Sequence, residues 1–334
     1  MYDMNYRITT KRNGVIIIDT DQTTENTRYL PLISINIETS FQNLTDFATI
    51  LMSGFQMNNC LNLERFFKTG DSIKIELGYD KVLVNEFEGY IDKVSYNKND
   101  FVIKCIDALY LYKKALTSKE FKSISIFNLC QYVSTEVNSE FKVICDIEMN
   151  YDKFIINQAT GFDVLKKIAE ETKFNIYFNT EKKELHIHPP FVEKTGEVIY
   201  DFELNVEEYD LTYISKDDKS LKVVIETTDK NGKQFKFEKG NAENNSDIIK
   251  LNLSSISKEQ AEKLLETTYN NNFRDRYEGS LTGWLIPFCS PGHTAKIIDK
   301  DFPQNRSKYY VEAVNTIFSE NGGKRIVKLG FKVG

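Results

Sequence analysis

Apolar residues recur at every second position over much of this chain, the spacing of half-buried β-strands. Ile33, Ile35 and Ile37 alternate with Ser34, Asn36 and Glu38, and Ile73, Ile75, Leu77 and Tyr79 alternate with Ser72, Lys74 and Glu76. Phe87–Tyr96 and Phe101–Asp107 flank Asn97-Lys98-Asn99-Asp100, which predicts a hairpin. Leu44–Met52 fits a strand or a short helix, and is read as a strand. The C-terminal stretch repeats this grammar. A strand from Gly279 runs into a Pro291-Gly292 turn, a second strand leaves it, and a hairpin tipped by Asn321-Gly322-Gly323 follows. On its return limb Val327, Leu329, Phe331 and Val333 face one side, while Lys328 and Lys332 face the other. Short strands joined by tight turns predict a barrel or sandwich at the front of the chain and a small antiparallel barrel at its end.

The period changes near Leu116. Ile126, Leu129, Cys130, Val133 and Val137 recur at helical spacing after a capping Ser125. Thr160 with Asp163 three residues on starts a second helix, whose inner stripe is Phe162, Leu165, Ile168, Ala169 and Thr172. Phe174–Phe178, a turn over 179–182 and Leu185–His188 then form a hairpin ahead of Pro189-Pro190. Strands return in Tyr209, Leu211 and Tyr213, in Leu221, Val223 and Ile225, and in Phe235 and Phe237, with Asp229–Gly232 as a hairpin turn and Lys239–Asp247 as a loop. A third helix, capped by Ser257 with Gln260, interrupts them, so the second barrel is discontinuous and its inserted helix packs on the middle module. Phe87–Asp107 and Tyr309–Val333 are both strand–hairpin–strand units; two related barrels and two unrelated hairpins fit that likeness equally well.

With 334 residues the chain holds two or three domains, and its 13% aromatic content favours β structure. The net charge of −6 is dispersed, with short basic pairs such as Lys113-Lys114 and no basic stripe, which disfavours nucleic-acid recognition. Met1–Thr9 lacks the apolar core of a signal peptide, and no apolar run approaches the roughly 20 residues of a membrane helix. Cys60, Cys105, Cys130, Cys145 and Cys289 are odd in number, show no close pairing and read as reduced core residues of a cytosolically made protein.

Chemistry-bearing patterns are sparse. His186 and His188 project from one face of a strand, as in some zinc sites, with Glu184 as a conceivable third ligand; two half-exposed strand histidines explain the same pattern. Ser290-Pro291-Gly292-His293 lacks a nucleophile elbow, and Gly322-Gly323 lacks the Lys and helix of a phosphate loop. Glu207-Glu208 and Asp217-Asp218 point to opposite faces of a strand, and Trp284 reads as core or interface filling.

Three stretches together resemble the phage late control protein D family. They are T-G-F-D-V-L-K-K-I-A-E-E-T-K-F-N-I-Y-F (Thr160–Phe178) with E-L-H-I-H-P-P, the closing P-F-C-S-P-G-H-T-A-K-I-I-D…Y-Y-V-E-A-V-N-T-I-F…G-G-K-R-I-V-K-L-G-F, and F-E-G-Y-I-D-K-V…F-V-I-K-C-I-D-A-L near the front. Order and spacing, from about Ile33 onward, carry the likeness. Members are baseplate hubs of contractile phage tails and share a fold with the N-terminal part of type VI secretion spike proteins. The resemblance implies a mainly β fold with α+β parts: two small antiparallel, tail-tube-like β-barrel domains plus an outer α+β module. Residues 1–115 would form the first barrel, 201–253 with 279–334 the second, and 116–200 with 254–278 the module.

It further implies a homotrimer that adapts a sixfold tail tube above to a threefold spike below, among other baseplate proteins. Because the chain ends at Gly334 with no needle domain, the spike is expected to be a separate polypeptide. DNA or a tape protein would pass through a neutral or acidic lumen without specific binding. No catalytic, cofactor-binding or metal-ligating residues are expected, no cofactor and no membrane insertion. Such a protein is made in the bacterial host cytoplasm and resides in the tail baseplate of the virion. The alternatives are a tail-tip protein of a long flexible-tailed phage and, in a different class, a metal-dependent hydrolase using His186 and His188.

Overall fold

The alternation seen in the N-terminal third does become strands. The computed structural model describes residues 3–21, 30–56, 59–97, 99–137, 139–190, 196–218, 220–228, 233–242, 246–253, 256–303 and 306–333. Seven strands form the first unit: β1 (Met4–Arg12), β2 (Val15–Asp19), β3 (Leu32–Ser40), β4 (Phe47–Ser53), β5 (Ser72–Tyr79), β6 (Val82–Tyr96) and β7 (Asp100–Ile106). Ile35, Ile37, Ile50, Ile73, Ile75 and Leu77 are buried in one core. Ile33 is not, because the β3–β4 register shifts between Leu32 and Ser34. The ambiguous stretch is a strand, β4. In the β6–β7 turn the Asn97 side-chain oxygen accepts the amides of Asn99 and Asp100, both at 2.8 Å.

Local capping chemistry places the helices. The Asp107 carboxylate caps a 3-10 turn over Ala108–Lys113 that leads into the middle module. The module contains α1 (Ile126–Glu136), β8 (Lys142–Cys145), α2 (Gly161–Thr172), β9 (Asn175–Asn179) and β10 (Glu184–His188). Ser125 caps α1, and Thr160 with Asp163 completes a reciprocal capping box on α2. β10 pairs antiparallel with β9 and parallel with β8.

The remaining strands divide in two. β11 (Gly196–Asp201), β12 (Glu208–Ile214), β16 (Arg276–Trp284), β17 (His293–Ile298), β18 (Lys308–Ser319) and β19 (Gly322–Val333) form a second unit around Tyr200, Leu281, Val311 and Leu329. β13 (Leu221–Thr228), β14 (Gln234–Gly240) and β15 (Asp247–Leu253) instead make a separate sheet in the order β14-β13-β15. α3 (Lys258–Asn272), capped by Ser257, packs on it. Val223, Ile225, Leu251 and Leu253 then join Leu129, Leu165 and Leu264 in the core of the helical module. The apolar residues of β13 and β15 are thus buried with α3 rather than in the core of the second strand unit. The Asp229–Gly232 turn lies outside the described residues. Among the described residues no helix is long and apolar enough to cross a membrane.

Neither strand unit closes into a barrel, which corrects the expectation of two small β-barrels. All thirteen of their strands belong to one open sheet, β12-β16-β19-β18-β3-β4-β7-β6-β5-β1-β2, with β17 and β11 branching from β18. The reason lies in how β18 is used. Its first residues pair with β17, bulges follow between Tyr309 and Ala313, and Ala313–Ser319 pair with Ser34–Ser40 of β3. The edge of β3 is thereby satisfied by the other unit rather than by its own.

Both units nonetheless have the same strand order. The first reads β3-β4-β7-β6-β5-β1 and the second β12-β16-β19-β18-β17-β11, which match rank for rank along the chain. The first adds β2 at its edge, and the second carries the β13–α3 insertion. They differ at the last position, where β1 runs antiparallel to β5 while β11 runs parallel to β17. The likeness between Phe87–Asp107 and Tyr309–Val333 is thus part of a larger repeat.

Candidate functional site: the junction of the strand units

The β18–β3 ladder is the seam where the two units become one sheet. Along it the Thr39 hydroxyl donates to Val314 O at 3.2 Å, and the Ser40 hydroxyl donates to Glu312 O at 3.2 Å. Tyr79 reaches across to donate to Gly323 O at 3.2 Å. Leu285 and Phe318, which belong to the second unit by sequence, are buried in the core of the first.

An ion pair locks this seam. Arg325 on β19 and Glu86 on β6 have side-chain exposures of 1% and 4%. The guanidinium donates to both carboxylate oxygens, at 2.7 and 3.0 Å, and also to Thr316 Oγ1, Leu285 O and Cys289 O. Fork-to-fork geometry of this kind fixes orientation as well as distance. Glu86 reaches the site because it is the extra residue of a bulge: Ile75 faces Phe87, Glu76 faces Asn85, and Glu86 faces nothing. Both residues were missed in the sequence. Arg325 left a signal, since it shares the parity of inward-facing Val327 and Leu329.

A second buried acid site ties the β3–β4 loop to the start of the helical module. Asp107 accepts the Leu109 amide at 2.9 Å and the Asp46 amide at 3.0 Å, and Asp46 accepts the Ser40 amide at 2.9 Å. Burial pushes the Asp107 carboxyl up to about 7. Burial, and then the neighbouring Asp107 charge, pushes Asp46 well above the ordinary carboxylate range. The folded state therefore holds protons that the unfolded chain would release. This contribution is full near pH 4 and fades as pH rises through about 7. Thermal melts at pH 5.5 and pH 8 should show the protein less stable at pH 8 by about 2 kcal/mol. Asp107→Asn removes the carboxyl whose burial sets that slope and should flatten it; an unchanged slope would refute the assignment.

These groups line a cavity of about 540 Å³ where all three parts of the chain meet, with Tyr177, His186 and His293 on its wall. Burial, with Arg325 nearby, lowers the His293 pKa. His186 stacks on Tyr177 at 4.9 Å, and its Nε2 lies 3.0 Å from a Glu184 carboxylate oxygen. His188, two residues along, packs edge-on against Phe41 and Tyr177, with Nδ1 2.8 Å from Pro189 O. Among the described residues no group of three or more His, Cys, Asp or Glu could hold a metal ion. Ser290 and His293 form the turn before β17, where the His293 amide donates to Ser290 O at 3.2 Å. Glu207 is paired with Lys324 at 2.9 Å. Trp284 is largely exposed near the β12 end of the sheet.

No protein-family model and no curated protein matches the chain. Solved structures do. A tail protein from Neisseria meningitidis superposes with a TM-score of 0.63 over 97% of this chain and 96% of that one, at 12% identity. The 43 kDa tail protein of prophage MuSo2 from Shewanella oneidensis gives 0.61 over 97% and 98%, at 16% identity. The Escherichia coli c3393 protein is a component of the type VI secretion system, described as structurally similar to T4 bacteriophage tail proteins gp27 and gp5. It gives 0.58 over 92% and 74%, at 9% identity. The chain therefore has the fold of phage tail proteins and of this secretion component, the group that the sequence resemblance indicated. At such identities it is the fold that is shared.

Proposed function

We propose that the chain is a structural, non-catalytic hub subunit of a contractile phage tail or related injection system, working as a trimeric adaptor between a sixfold tube and a separate threefold spike. Residues 1–115, 201–253 with 279–334, and 116–200 with 254–278 are its proposed domains, with strands 221–253 packing on the last. The coverage of whole tail proteins supports the class. One observation supports the ring: the two strand units repeat the same order and are already joined, β18 to β3, inside the chain.

Each copy leaves the matching halves of that joint open. β12, the counterpart of β3, is a terminal strand. Among the described residues no strand pairs with the outer side of β6, the counterpart of β18, beyond Ile91. A neighbour's β12 laid on β6 would repeat the internal seam, and three chains would present six units. The Asn97 amide points into the hairpin, to Asp100 O at 3.0 Å, so strand alternation turns the Tyr96 amide to the outer edge. Tyr96 is 67% exposed.

Mass photometry of the protein mixed with its cognate spike should give a trimer, and Tyr96→Pro, which removes that outward donor, should leave a folded monomer. A wild-type monomer in the presence of both spike and tube proteins would overturn the reading.

A further inference from the structure

A second, larger cavity lies away from the seam, between α2 and α3. It is an open trough of about 1080 Å³. α2 lines one wall with Phe162, Lys166 and Ala169, Lys173 follows just past its C-terminus, and α3 lines the other with Leu264, Thr268 and Asn271. Each set recurs at three- or four-residue spacing, so each is one face of its helix. Leu44, Phe174 and Ile249 line it as well, and Phe47 and Ile248 are exposed at it. The residues midway along the two walls, Ala169 and Thr268, are small. The trough exceeds the upper end, roughly 1,000 Å³, of pockets that enclose small ligands. It suits a rod with an apolar side better than a compact molecule.

The charge around it is lopsided. Lys113, Lys166, Lys173 and Lys250 line the trough, against Asp92 and Glu170. Lys113 is taken up by Asp92 at 2.5 Å, and Lys166 lies 3.7 Å from Glu170. Lys173 and Lys250 make no ion pair with a described residue. A positive surplus thus borders an apolar trough on a chain whose net charge is −6.

The geometry points to a docking groove for an amphipathic helix of a partner protein, with its apolar stripe toward Ala169 and Thr268 and acidic side chains on its flanks facing Lys173 and Lys250. The helix completes a three-helix layer over β15. The apolar stripe supplies affinity, while the lysines choose the sign of the partner and its orientation. This surface is separate from the strand edges, so the inference holds whether or not the chain forms rings.

The test is fluorescence anisotropy with three labelled synthetic helices that share one leucine face and carry glutamate flanks, lysine flanks or a scrambled order. The glutamate-flanked helix should bind at least about tenfold more tightly than the other two, and should weaken about tenfold between 50 and 500 mM salt. Ala169→Trp fills the trough and should abolish binding. Thr268→Glu, more conservative for folding, should weaken the glutamate helix selectively. Lys173→Glu with Lys250→Glu should transfer the preference to the lysine-flanked helix, with unchanged thermal melts in each case. Equal binding of the glutamate and lysine helices, no binding of either, or full binding by a folded Ala169→Trp protein would overturn the proposal.

Discussion

Arg325→Met should destabilise the protein by about 3–5 kcal/mol, far more than loss of a surface ion pair. The variant leaves the Glu86 carboxylate, 4% exposed, without its guanidinium. It also removes the donors to Thr316 Oγ1, Leu285 O and Cys289 O. Most of the cost is the stranded charge, not the net worth of the pair. Adding Glu86→Leu to Arg325→Met should therefore recover much of the loss, because a packed apolar pair avoids burying an ion. Urea unfolding of wild type, both single variants and the double variant would close the cycle. Equal destabilisation of the Arg325→Met and double variants would show that Glu86 finds other partners.

Phe318→Ala should cost about 3–5 kcal/mol, and Leu285→Ala about 2–5 kcal/mol, through cavities in a core to which neither residue is adjacent in sequence. Both are buried with Ile35, Ile50 and Ile75 of the first unit, and Phe318 meets Tyr6 edge-on at 5.9 Å. Because the core is shared, damage on β18 should be felt on β3 and β4. Hydrogen exchange read by mass spectrometry should show those strands losing protection together with β18, while α1 and α2 keep theirs. Faster exchange confined to β18 and β19 would mean that the two units are stabilised independently.

Local chemistry was legible along the chain because its causes are local. Ser125, Thr160 with Asp163, and Ser257 start helices where their side chains can take up free amides. Asn97 makes the hairpin turn, and alternation names the inward side of β5 and β19. The ordered motifs from Phe87 to Phe331 also pointed to the tail-protein fold that the structural comparisons recover.

Partner choice was not legible. Strand alternation states which face is buried but not which edge meets which, so a set of short strands read as a closed barrel when its edge joins another unit instead. Ala313 meets Ser40 and Ser319 meets Ser34 across most of the chain's length, a pairing that no local pattern carries. Strands 221–253 alternate like their neighbours, yet pack on α3. Glu86 reads as a surface acid until a bulge turns it inward, and Asp46 and Asp107 become a buried couple only when the β3–β4 loop folds onto the start of the helical module. The sequence by itself determined the elements, their caps and their family likeness, because each depends on residues a few positions apart. Only tertiary structure decided the open thirteen-stranded sheet, the Arg325–Glu86 lock and the α2–α3 trough, since each depends on which distant edge or face comes to rest against another.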